Sequence, residues 1–122
     1  PYRALHPVEA FGLRIEGPSE DDPERLVSLF YTGDTDLCDT IIEGARGVDV
    51  LLSEVGFTSD ETEPDMHMDG VRAGEVATRA GVARMIATHI QPWTPRDRVA
   101  SEVRQTWSGP LDFATSGMQV SL

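Results

Sequence analysis

Leu26 to Glu54 reads LVSLFYTGDTDLCDTIIEGARGVDVLLSE, and its punctuation decides the fold class. Leu26 to Thr32 is an apolar run of strand length. The Gly33-Asp34-Thr35 turn follows it. Asp36 is spaced to cap a helix over Leu37 to Arg46, with Gly47 as the stop. Val48 to Ser53 is then a second buried strand. Neither strand alternates polar with apolar residues, which predicts burial on both faces. A strand, a helix and another such strand predict an α/β layer in which helices pack on a sheet.

Outward from this unit the pattern continues. Upstream, Val8 to Ile15 reads as a strand interrupted by Gly12, a candidate bulge. Glu16 to Arg25 is a polar connector with two prolines. Downstream, Thr58 to Asp65 is an acidic loop. Asp69 sits at an N-cap position, and Val71, Val76, Ala77 and Ala80 follow near helical spacing as far as Gly81. Val82 to Thr88 is a strand. Thr94 is placed to cap a helix with Pro95 at its first position, apolar at Val99, Val103 and Trp107. Leu111 to Ala114 and Met118 to Leu122 read as two closing strands.

Composition bounds the function. At 122 residues the chain has room for one domain. No apolar run approaches membrane-spanning length and no signal segment opens the sequence, so the cytoplasm is the expected location. The single cysteine, Cys38, cannot form an internal disulfide and lacks activating neighbours, so it reads as a small half-buried residue opening a helix. The formal charge is -11, and all ten basic residues are arginine. Nucleic acids are held mainly by Lys and Arg neutralising phosphates, and no basic stripe is present, so a nucleic-acid partner is disfavoured.

The chemistry lies in His6, Asp34 and His89, with His67 as the third of only three histidines. Two imidazoles and a carboxylate form a mixed N/O set that zinc, manganese or iron accepts. Asp34 follows the Leu26 strand and His89 follows the Val82 strand. Both are therefore expected beyond the carboxyl ends of strands, where α/β sheets gather ligands. Trp93 reads as a packing residue in preference to a stacking surface.

Together the phrases HPVEAFGLRI, YTGDTDLCDTIIEGARGVDVLLSE, the His67 phrase before the Asp69 helix, GVARMIATHIQPWT and DFATSGMQVSL resemble one family. They are similar, in order and spacing, to the C-terminal half of metallo-β-lactamase-fold hydrolases, on the ribonuclease Z and cyclic-nucleotide phosphodiesterase branch. The resemblance implies that residues 1–122 form the C-terminal half of a four-layer αββα sandwich, a mixed sheet with helices on one face. It implies two divalent metal ions, zinc first and manganese or iron as alternatives. His6 would ligate the first, Asp34 bridge both and His89 ligate the second. The family's remaining ligands come from an HxHxDH motif in its N-terminal half, which this sequence lacks, so the chain alone is expected to be inactive. His67 resembles the family's general acid, a role suited to imidazole, and Glu54 its supporting carboxylate. The phrase around Glu54 departs from the family's usual His-Glu-Ala-Thr or Ser-Phe, and Asp69 stands where Ser or Thr is commoner.

The implied activity is hydrolysis of a small phosphodiester such as a cyclic nucleotide. The tRNA-processing relatives carry a long Lys-containing arm where this chain has a short acidic connector. Maturation of tRNA 3′ ends remains an alternative, as does a non-catalytic half-domain that acts only by association. Either way, the inner sheet face is expected to meet the N-terminal half or another copy of the chain.

Overall fold

The computed structural model describes residues 1–61 and 63–122. Its elements run β1 (Tyr2–Arg3), β2 (Phe11–Pro18), β3 (Leu26–Tyr31), α1 (Asp39–Ala45), β4 (Val50–Glu54), α2 (Gly70–Ala80), β5 (Arg84–Thr88), α3 (Arg96–Val103) and β6 (Leu111–Phe113). They build one mixed six-stranded sheet in the order β1-β2-β3-β4-β5-β6. β1, β2 and β3 pair antiparallel, and β3 through β6 pair parallel.

Alternation along the strands separates two faces. Phe30, Leu51, Met85 and Ala87 point to the helices and meet Ile41 of α1, Val76 and Ala77 of α2, and Val99 and Val103 of α3 in one buried core. The register places Leu13 beside Tyr31 and Ile15 beside Leu29 on the other face. Val50, Leu52 and Ile86 continue that face across the sheet. No helix among the described residues is long and apolar enough to cross a membrane.

The α2 reading holds in detail. Asp69 accepts the Arg72 amide at 2.9 Å, and Gly81 closes the helix at φ 66°. Several other local readings are corrected. Asp36 does not cap α1, which starts at Asp39 after Cys38 with no side-chain cap. Its carboxylate is instead claimed by Arg72 Nη1, at 2.9 and 3.0 Å, and by the Asp65 amide. Thr94 does not cap α3; Pro95 occupies the N-cap, and its ring has no group that can accept a hydrogen bond. Gly12 is not a bulge, because pairing continues from Phe11 and Gly12 on β1 to Leu13 on β3. A side chain at Gly12 would put a Cβ 2.5 Å from Phe30 Cζ, so this glycine permits a close approach.

Met118 to Leu122 is not a strand. After a turn with Gly117 at φ 78°, this segment crosses the inner face, where Met118, Val120 and Leu122 lie with Leu29, Val50, Leu52 and Ile86 around a common cavity. Leu122 O accepts bonds from the Glu20 amide and Ser19 Oγ, both at 2.9 Å, at the far end of β2. The part of the inner face built by Phe11, Leu13 and Ile15 stays open, with Ile15 58% exposed.

Candidate metal centre

Three strand ends and two loops converge. β3 runs into Gly33, whose φ of 61° turns the chain; a Cβ there would sit 2.7 Å from Phe11 O. Asp34 follows at this turn. Thr35 then ties in the N-terminal segment: its Oγ1 accepts the Leu5 amide at 3.0 Å and donates to Asp36 O. Asp36 N donates to Leu5 O at 2.8 Å, and this small bridge holds His6 beside the Asp34 turn.

At the end of β4, Glu54 is fully buried. Its Oε1 accepts from the Thr35 amide at 3.0 Å, the Met68 amide at 3.3 Å and His67 Nδ1 at 2.9 Å, and its Oε2 from the Gly56 amide at 2.7 Å. Burial pushes the Glu54 carboxyl above the usual carboxylate range, while the bonds from Thr35, His67 and Gly56 pull the other way. The Tyr31 phenol, at the end of β3, is also raised, first by burial and then by the charges of Asp34 and Glu54.

At the end of β5, His89 has left-handed backbone geometry, φ 59°, and its Nδ1 lies 3.3 Å from Asp34 Oδ1. Asp65, just before His67, has φ 62°. These are the only non-glycine residues with positive φ among those described, and both border the cluster, where local strain commonly gathers at functional sites. The His67 ring sits in the middle, with centroids 5.4 Å from His6, 5.1 Å from His89 and 5.3 Å from Phe57.

All five residues singled out in the sequence therefore meet at one place. Ligand atoms of His6, Asp34 and His67 lie within 4.8 Å of one another, as do those of Glu54, His67 and His89. The chemistry of this donor set fits a divalent cation, with unequal parts. Glu54 already accepts four bonds in a buried pocket, so it is poorly free to ligate. His67 commits Nδ1 to Glu54 and keeps Nε2 available. His67 belongs to both groups, whereas His6 and Asp34 fall in one and His89 in the other; His6 Nδ1 lies beside Val8 and His89 Nδ1 beside Asp34.

Other contributors left no local trace in the sequence. Thr35, Asp36 and Arg72 lock the Asp34 turn to the loop before His67 through contacts between distant segments. Trp93, read as a packing residue, is 74% exposed and lines a surface cavity with Phe57, Glu61 and Gln91.

Comparison with known proteins agrees with this architecture. Residues 2–90 match a family described as beta-lactamase superfamily domain. An uncharacterised protein of Mycobacterium tuberculosis is 47% identical over 112 residues, covering 91% of this chain and 39% of that protein. The ribonuclease Z of Myxococcus xanthus is 30% identical over 99 residues, covering 77% of this chain and 32% of the enzyme. The crystal structure of the metallo-beta-lactamase fold protein YhfI from Bacillus subtilis superposes with a TM-score of 0.82 at 27% identity, covering 95% of this chain and 46% of that one. The chain thus spans less than half the length of each of these relatives. Since the matched stretch begins in β1 and ends just after His89, every clustered side chain falls within it, and the chain belongs to the beta-lactamase superfamily.

Proposed function

We propose that this chain is the C-terminal half of a metal-dependent hydrolase, and that the whole protein is a phosphodiesterase acting on small phosphodiesters, cyclic nucleotides first among them. The observation that carries this reading is the 2.9 Å contact between buried Glu54 and His67 Nδ1, set among His6, Asp34 and His89. With the carboxylate accepting at Nδ1, the ring is fixed in orientation and Nε2 is left to handle a proton. Two divalent cations, zinc in the first instance, would polarise the phosphate and activate water. His6, Asp34 and His89 are the residues assigned to hold them, with Asp34 shared, and the rest of the ligand set belongs to the N-terminal half. As the bond from phosphorus to the leaving oxygen breaks, His67 Nε2 gives its proton to that oxygen, and Glu54 stabilises the ring while it is charged.

The substrate assignment rests on charge and on the short connector between β2 and β3. With a formal charge of -11 and no lysine, this half offers little to an RNA backbone. Processing of tRNA 3′ ends is the second reading, favoured by the likeness to a ribonuclease Z. A third role, association without catalysis, draws on the open apolar row of Phe11, Leu13 and Ile15 on the inner face.

The test uses the full-length protein. His67→Ala should lower kcat on bis(para-nitrophenyl) phosphate and on cyclic nucleotides by roughly 10²–10⁴-fold, with metal content unchanged by elemental analysis. Loss of metal in the variant would make His67 a ligand instead of an acid. A full-length, metal-loaded protein that hydrolyses no phosphodiester would overturn the reading.

A further inference from the structure

Beside the histidine cluster lies a cavity of about 420 Å³ whose walls include Thr88, His89, Gln91, Thr94, Arg96 and Ala114. That size suits a small ligand or one arm of it. Among the described residues lining it, Arg96 is the only arginine and no carboxylate is present.

Arg96 is exposed and, with Arg3, Arg46 and Arg104, is one of four arginines in no ion pair among the described residues; of these four it alone lines this cavity. The chain carries 21 acidic residues against ten arginines. Arg14, Arg25, Arg72, Arg79, Arg84 and Arg98 each sit in an ion pair with a carboxylate. Arg96 has no such partner among the described residues. Its guanidinium lies 5.8 Å from the Phe113 ring centroid, and Nη2 makes one long bond, 3.4 Å, to Ala114 O. These contacts steady the side chain and leave most of its five donors unspent. In so acidic a protein, a guanidinium without a carboxylate partner, on the wall of the cavity that His89 also lines, has the makings of an anion receptor. Thr88, Gln91 and Thr94 line the same cavity.

The geometry points to an oxyanion subsite: Arg96 binds a second negatively charged group of the substrate, a phosphate or a carboxylate, while the scissile phosphodiester occupies the histidine cluster. This rests on the phosphodiesterase reading for the reacting centre and, within that class, favours phosphodiesters bearing an additional anion over cyclic mononucleotides, whose single phosphate would occupy the histidine cluster. The planar guanidinium fork matches either oxyanion, and a lysine would replace its charge but not its paired bonds. Arg96 is a specificity residue here and takes no part in proton transfer.

The test needs no turnover. Full-length, metal-loaded protein is titrated calorimetrically with phenylphosphonate, para-carboxyphenylphosphonate and para-phenylenediphosphonate, none of which can be hydrolysed at a diester. The wild type should bind at least one of the probes with two anionic groups more tightly than phenylphosphonate. In Arg96→Ala that preference should fall by at least about tenfold, the scale of a charge-assisted hydrogen bond, with phenylphosphonate affinity unchanged. Arg96→Lys should keep part of it. The probe that loses more tells whether the subsite prefers carboxylate or phosphate. Equal losses for all three probes, an unchanged preference in Arg96→Ala, or no preference in the wild type would each overturn the subsite. Hydrolysis of bis(para-nitrophenyl) phosphate by the same preparations is measured in parallel. An Arg96-dependent preference without any hydrolysis would sink the phosphodiesterase reading and leave the subsite standing.

Discussion

Glu54 is the residue on which the site depends most. It is wholly buried, yet it accepts from three backbone amides and an imidazole drawn from three separate segments. Replacing one of its oxygens by an amide NH₂, as in Glu54→Gln, would turn a donor toward donors. The buried groups left unpaired cost about 1–3 kcal/mol. Urea unfolding should therefore show a lower midpoint with an unchanged slope. An unaltered midpoint would mean that the carboxylate network adds nothing to stability. The pairing of Glu54 with His67 was legible through family likeness in the phrases around them. The amides of Thr35, Gly56 and Met68 were not, because no side-chain pattern announces where a backbone N–H will end up.

At the scale of elements, Asp34, Glu54 and His89 each hang on how a strand ends, whereas His6 and His67 sit in loops. Gly33 makes the clearest case, since its left-handed φ of 61° coincides with a Cβ position 2.7 Å from Phe11 O. Gly33→Ala should cost about 1–3 kcal/mol in backbone strain and displace Asp34, so that zinc affinity of the full-length protein falls in a competition titration. A variant with native stability and native zinc affinity would show that the turn has slack. The central strands were readable because their apolar runs are long and bounded by turn residues. α2 was readable because Asp69 and Gly81 mark its two ends. Asp36 misled for a physical reason: a carboxylate beside a helix start looks like a cap, but Arg72 offered it a stronger partner. Met118 to Leu122 misled in another way. The alternation of Met118, Val120 and Leu122 is real and turns these side chains to the sheet, but period two reports facing, and pairing needs a neighbouring strand edge. Trp93 had no periodicity to argue from and proved exposed.

For the molecule as a whole, the two sheet faces are treated differently. One is covered by three helices, whereas among the described residues the other has only the segment after β6 lying across part of it. Phe11, Leu13 and Ile15 remain between two fifths and three fifths exposed. Burying such a row is worth on the order of 25 cal/mol per Å², and contiguous apolar surface of this kind commonly marks an interface. Residues 1–122 produced alone should form assemblies larger than a monomer at micromolar concentration by light scattering. Leu13→Glu combined with Ile15→Glu should return them to monomers while the circular dichroism stays the same. A wild-type chain that is monomeric throughout that range would remove the association reading.

The strictly sequential order of the sheet has a bearing on how the molecule comes to exist. Every strand bonds to the one translated just before it. As the ribosome extrudes the chain, each strand after β1 meets a partner already made, which shortens the loops that must close and limits the time an unpaired edge is displayed. His6 and Asp34 can be brought together by the Leu5–Asp36 bridge while most of α2 is still inside the exit tunnel. Glu54, His67 and His89 follow in the order of synthesis, and β5, which carries the chain to His89, pairs with β4, the strand that ends at Glu54.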